Sequence, residues 1–401
     1  MLASFQRAVA VTATALLLSC GSSNEDDAPK TAPTGMAVAA GDTSVVVTWD
    51  MEPGLTYWIF SAVAPEINRD NFNNFAGARI TQPATSPQLI SGLVNGTTYS
   101  FLINATRSGS AAGPATASIA ATPRLAGSTW TAGPALAGDI NALGTGGGKS
   151  LAVGAAGALY TRGTGLNDVW VAGSTGATAN LNGLAVGGTI VAVGDAGTIL
   201  TSVDTTAWTA QTSGTTARLN AALFAQLAYV AVGDNGSIVR SADGATWTTI
   251  ASGTTSNLHG IALLGTAMLA VGANGTMLSS TDAGLTWTPV NSGTTSTLRA
   301  AATGNGRFVV VGDGGTILTS TTTDLSTWTA ATSPTTADLR SIVFGSQLVV
   351  VGAGGTALVS PDGLAWTPVT TGTTADLRAV ARGATLNYLA AGTGGVNLES
   401  R

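Results

Sequence analysis

From residue 32 onward the apolar positions come in short runs of four to six. Many alternate with small polar residues, and Gly, Asn, Asp or Thr-Thr punctuates nearly every run. Alternation with period two, bounded by turn formers, predicts half-buried β-strands. Ser44–Thr48 with Trp49, Tyr57–Phe60 and Tyr99–Ala105 read as strands of a first β domain over residues 32–123. After residue 124 a four-strand pattern repeats. In one unit it runs through Leu298–Ala302, Arg307–Gly312, Thr316–Ser320 and Trp328–Ala331. The fold class predicted is all-β throughout.

Two independent markers set the period of the repeat. Tryptophans stand at 130, 170, 208, 247, 287, 328 and 366, in steps of 40, 38, 39, 40, 41 and 38. A Gly-x-x-Gly turn begins at 154, 194, 233, 272, 312, 352 and 392, in steps of 40, 39, 39, 40, 40 and 40. Repeats of about forty residues with four strands each are the arithmetic of β-propeller blades. The expectation for 124–401 is a seven-bladed propeller. Because the last unit ends at Ser400 without a tryptophan strand, the Trp130 strand should complete it and remove a free sheet edge.

Composition narrows the function. Charged residues are 9% of the chain and the net charge is −5. No Lys/Arg run offers the clustered cations that nucleic acid requires. One Cys and one His among 401 residues exclude an intrachain disulfide and a Cys/His zinc centre. No metal or cofactor motif is present. The Gly144–Ser150 segment has lysine after glycines but lacks phosphate-loop spacing.

The N-terminus reads as an address. Arg7 precedes the apolar stretch Ala8–Leu18, a signal-peptide pattern. Leu17-Leu-Ser-Cys20 resembles the lipobox of bacterial lipoproteins, which implies cleavage after residue 19, lipid on Cys20 and attachment to the membrane by lipid alone. An ordinary signal peptide with a chance cysteine is the alternative. Residues 20–31, with Glu25-Asp-Asp27, form a polar acidic tether. Gly21 is not the Asp that marks inner-membrane retention in such lipoproteins, so an outer-membrane address is implied.

Trp49, Tyr57, Leu93-Val-Asn-Gly and Tyr99, in this order across about ninety residues, resemble a fibronectin type III domain. The polar stretch 68–74 departs from the pattern. In the repeats, Ser280-Thr-Asp282-Ala-Gly284-Leu-Thr-Trp287 is a complete Asp-box. Ser241–Trp247 (with Asp243) and Ser360–Trp366 (with Asp362) are shorter forms, and Ser202–Trp208 lacks the glycine. The unit reaching Trp170 has lost the motif and the one reaching Trp328 has it stretched. The expected chemistry is structural, with Ser and Asp accepting turn amides and Trp wedging between sheets. Together with V-G-x-x-G-T-I-L and L-R-x-V, these repeats resemble the propellers of the photosystem II assembly and stability factor family.

The family resemblance implies binding or assembly rather than catalysis. A sialidase-like glycosidase, which Asp-boxes also suggest, would need a Tyr nucleophile with a Glu. The repeat region has one Glu, Glu399. One position in each unit, directly after the Leu/Ile that opens the first strand, is Asn141, Asn182, Asn220, His259, Arg299, Arg340 or Arg378. In a closed ring Arg299, Arg340 and Arg378 stand side by side with His259 flanking them. Paired guanidinium donors suit carboxylate or phosphate, so the expected partner is an acidic protein segment or an anionic glycan. Asp195, Asp234 and Asp313 recur in the turn after the second strand, near the same face. The alternative is intramolecular Arg–Asp pairing across adjacent blades, which would make the arginines structural, with Asp313, Asp338 and Asp376 as counter-charges; Asp338 and Asp376 lie two residues before Arg340 and Arg378. A third reading is a purely architectural envelope spacer.

Overall fold

The computed structural model describes residues 28–107, 113–165, 168–320, 325–384 and 387–401. The signal segment 1–19, Cys20 and the acidic start of the tether lie outside them. By contact the chain divides into one unit of Met1–Val38, Val47–Gln88 and Thr98–Ala121, and a second of Ala39–Val46, Leu89–Thr97 and Thr122–Arg401. Among the described residues no helix is long and apolar enough to cross a membrane.

The N-terminal region holds strands β1 (Ala37–Gly41), β2 (Ser44–Thr48), β3 (Thr56–Ala62), β4 (Arg79–Ala84), β5 (Gln88–Ser91), β6 (Tyr99–Thr106) and β7 (Ile119–Ala121). They make a three-stranded sheet, β1-β2-β5, and a four-stranded one, β4-β3-β6-β7. Tyr57 and Ile59 on β3 point to one face, where the Tyr57 ring lies 5.4 Å from that of Trp49. The Tyr57 hydroxyl accepts the Glu52 amide at 2.7 Å, so the phenol is buried without stranding its oxygen. On the opposite face Phe60, Ala62 and Leu102 form a second small core with Ile67 and Phe72. The polar stretch 68–74 is what covers it. Asn68 Oδ1 accepts the amides of Asp70 and Asn71 while Asn71 Oδ1 accepts that of Asn68, coiling the segment into a turn that delivers Phe72 against Phe60.

In 124–401 the described residues form seven four-stranded antiparallel sheets. Their first strands are Ile140–Gly146, Leu181–Val186, Leu219–Ala225, Leu258–Leu264, Leu298–Gly304, Leu339–Phe344 and Leu377–Arg382. Each touches the next, and the seventh touches the first, so the sheets close into a ring with these strands innermost. This is a β-propeller, and the sheets are numbered as blades 1–7 in that order. The outermost strand of blade 7 is Thr131–Ala132, from the start of the region, paired with Leu398 and Glu399 near its end. Each tryptophan stands just before its outer strand rather than within it.

The second strands are the driest, with Val-rich runs such as Phe308–Val311 fully buried between neighbouring blades. The Gly-x-x-Gly turn that follows joins three segments. In blade 3, a side chain on Gly233 would strike the Arg218 carbonyl within the blade. Gly236 has φ +67, and a side chain there would strike the Thr254 carbonyl leading into blade 4. Each turn is thus held against the blade after it.

Candidate functional site

The first strands enter the ring with a bulge directly after their opening Leu or Ile, as between Leu219 and Ala221. The bulge re-aims one side chain per blade. Asn141, Asn182, Asn220, His259, Arg299, Arg340 and Arg378 all line one central cavity of about 310 Å³. The seven residues singled out by the repeat are therefore brought together. Beyond them the wall turns apolar, through Leu143, Leu184 and Ile261.

The ring is polar but not uniformly cationic. Asn182 Nδ2 donates to Asp195 at 2.9 Å and Asn220 Nδ2 to Asp234 at 2.8 Å. Arg299 forms a two-point ion pair with Asp313 in its own blade. Arg340 pairs with Asp376 of the next blade at 2.9 Å, and Arg378 with Asp139 of blade 1 at 3.1 Å and Asn141 Oδ1 at 2.8 Å. Of the three candidate counter-charges, Asp313 and Asp376 pair with arginines, Asp376 with that of the blade before it, whereas among the described residues Asp338 pairs with none. Residues two apart about a bulged strand entrance face different neighbours. Asp338 accepts the Gly314 amide at 3.0 Å instead, and Asp376 serves the blade before it.

His259 makes no hydrogen bond among the described residues. Burial holds its pKa below the ordinary value, and the Arg299 charge adds to this, against the pull of Asp234 and Asp313.

A clamp that sequence reasoning missed lies one residue before each opening Leu. Asp139, Asn180, Asn257, Asp338 and Asp376 each accept the amide of a left-handed turn residue in the preceding blade, at 2.9–3.0 Å. Its signal was Asp or Asn recurring at that position, alongside Arg218 and Thr297 in the other two units.

The Asp-boxes sit at the third-to-fourth strand turns. Ser241 Oγ accepts the Gly244 amide at 2.8 Å, Asp243 Oδ1 accepts those of Ala245 and Thr246, and Trp247 Nε1 donates to the Gly244 carbonyl. Ser280, Asp282, Gly284 and Trp287 repeat the pattern, as do Ser360, Asp362, Gly363 and Trp366. The turn amides hold Asp243 down to about 2; the Thr286 hydroxyl and amide do the same for Asp282. Such carboxylates are fixed acceptors with no proton to give at neutral pH. Glu399 is likewise committed. Burial raises its pKa, but hydrogen bonds and charge from Arg401 and Arg162 outweigh this and hold it below its ordinary value. No sialidase-like acid is available in these groups. The described residues contain no group of three metal-ligating side chains.

The ring of four-stranded sheets around a polar central cavity defines the class: a β-propeller. Two similar solved structures are YCF48 bound to D1 peptide (TM-score 0.56, 16% identity, covering 68% of this chain and 94% of that one) and YCF48 from Cyanidioschyzon merolae (0.56, 14%, 68% and 98%). The WD40 propeller domain of Doa1 superimposes equally well (0.56) at 9% identity, covering 68% and 95%. At these identities the likeness is one of fold. No family model and no curated protein matches the sequence.

Proposed function

We propose that this protein is a non-catalytic binding or assembly protein, exported and held at the outer membrane by lipid on Cys20. In this reading a fibronectin type III-like spacer carries a seven-bladed propeller whose central cavity receives an acidic protein segment. The observation that carries it is the convergence of Arg299, Arg340 and Arg378, with His259, on that cavity. Their side chains are 27–33% exposed, and ion pairs at such exposure hold loosely enough for a partner's carboxylate to exchange with Asp313, Asp376 or Asp139. A YCF48 propeller is described as bound to a D1 peptide, which supports a peptide as the partner class.

The test is capture of partners from membrane fractions by wild type and by Arg299→Ala/Arg340→Ala/Arg378→Ala. The variant should melt cooperatively and lose salt-sensitive capture. Lost stability with capture intact assigns the arginines to structure and favours an envelope spacer. Cys20→Ser should move the protein out of the membrane pellet, and an unchanged pellet fraction would remove the anchor from the proposal.

A further inference from the structure

The seam where blade 7 meets blade 1 differs from the four junctions whose tryptophan is bonded into an Asp-box turn. Trp208, Trp247, Trp287 and Trp366 each donate the indole N–H to an Asp-box carbonyl. The unit reaching Trp170 has no Asp-box. Trp170 is half-buried, and its N–H makes no hydrogen bond among the described residues. Instead it lines a cavity of about 480 Å³ together with Tyr160, Arg162, Asp168, Leu398 and Glu399. That volume lies within the roughly 300–1,000 Å³ of small-molecule sites.

The walls are fixed. The Tyr160 hydroxyl both accepts from Ala137 N at 2.9 Å and donates to Ala137 O at 3.0 Å, which holds its ring in place. Arg162 bonds Glu399 at 2.9 Å and the Asp168 carbonyl at 2.7 Å. Glu399 also accepts from Asn387 and Arg401, at 2.6 and 2.7 Å. The Asp168 carboxylate is exposed, and among the described residues a single amide, that of Gly165, is bonded to it at 2.8 Å.

We propose that this seam is a second binding site, separate from the central cavity, and that it takes a neutral saccharide ring. Two aromatic side chains offer an apolar surface to the C–H face of a pyranose. The Trp170 N–H and the Asp168 carboxylate offer one donor and one acceptor at its hydroxyl-bearing edge. Two carboxylates against one guanidinium in the lining disfavour an anion. A wholly apolar ring would leave the polar rim without partners on desolvation.

Isotope-labelled tryptophan in the full-length protein gives a separate NMR signal for each indole N–H. Maltose and N,N′-diacetylchitobiose, each titrated to about 20 mM, cover the millimolar affinities expected of a single-ring contact. At least one should shift the Trp170 signal saturably and leave Trp247 and Trp287, bonded to their carbonyls, unmoved. Trp170→Ala should weaken binding about tenfold or more, and Asp168→Ala, at an exposed side chain, several-fold. No saturable shift with either sugar overturns the proposal, as does equal movement of all the indole signals. Should Trp170→Ala fail to fold, unchanged affinity in Asp168→Ala overturns it.

Discussion

Ser400 and Gly127 lie 273 positions apart and make the contact that defines an Asp-box. Ser400 Oγ accepts the Gly127 amide at 2.8 Å, the same bond as Ser241 with Gly244 and Ser360 with Gly363, both at 2.8 Å. Gly127 has φ +95, and a Cβ there would stand 2.8 Å from Val349 of blade 6. Gly284, with φ +81, holds the corresponding place 2.9 Å from Val230 of blade 3. The blade that closes the ring therefore assembles its box from the two ends of the repeat region, Ser from the last strand and Gly with Trp130 from the first segment. The join is not a complete copy, since Trp130 Nε1 is buried without a partner among the described residues.

Ser400→Ala should accordingly destabilise the whole propeller and not merely fray its last residues. The substitution strands a buried amide, a loss of roughly 1–3 kcal/mol. Urea unfolding should show a lower midpoint with an unchanged slope, matching Ser241→Ala within about 0.5 kcal/mol. A wild-type midpoint would mean that ring closure does not depend on this bond.

Trp287 is 8% exposed and lies in a core built from blades 3 and 4, with Val230, Val232, Met268 and Leu278. Trp287→Ala should cost roughly 3–5 kcal/mol by the cavity it opens. Gly284→Ala should also destabilise, because an L side chain there meets both a positive φ and Val230. Chemical denaturation checks both, and a loss within about 0.5 kcal/mol for Trp287→Ala would mark a surface residue.

What the sequence made legible follows from what repeats. Period, blade count and the convergence of Asn141, Asn182, Asn220, His259, Arg299, Arg340 and Arg378 could be read because seven copies fix each position on its strand. The box shared by Ser400 and Gly127 could not, since each half occurs once, at opposite ends of the region. That arginines and aspartates could pair across adjacent blades was legible, but the particular match of Arg340 with Asp376, 36 positions on, was not. Which aspartate meets which arginine depends on the angle between blades, and the repeat period does not encode it. Residues 68–74 lacked any strand pattern because their order comes from Asn side chains bonding local backbone.

Asp376→Ala should be costlier than Asp338→Ala. Asp338 caps one turn amide, Gly314, whereas Asp376 caps Gly354 at 2.9 Å with one oxygen and holds Arg340 at 2.9 Å with the other. Among the described residues Arg340 Nε is already buried without a partner, so losing the carboxylate leaves the guanidinium poorly compensated. The cap alone accounts for about 1 kcal/mol, and the half-exposed pair adds up to about 1 kcal/mol more. Thermal melts of the two variants decide this, and equal melting temperatures would show that the ion pair contributes nothing to stability.

Acid should unfold the propeller through its Asp-boxes. In the folded state Asp243 and Asp282 titrate at about 2, against 3.8 for the unperturbed carboxyl. Because the folded value is the lower one, the unfolded chain takes up protons first as pH falls. Their contribution is complete above the unfolded value and drains away between about pH 4 and pH 2. His259, also depressed, has its unfolded value at 6.5, so any loss from it begins nearer neutrality and lies in a separate window. Melting temperature recorded from about pH 7 to pH 2 should thus show its steepest fall below pH 4. Asp243→Asn/Asp282→Asn should start lower at neutral pH and fall less steeply in acid, since the groups whose protonation drives the loss are gone. An acid limb of undiminished steepness in that variant would place the responsible carboxylates elsewhere, with the ion-paired Asp139, Asp313 and Asp376 the next to replace.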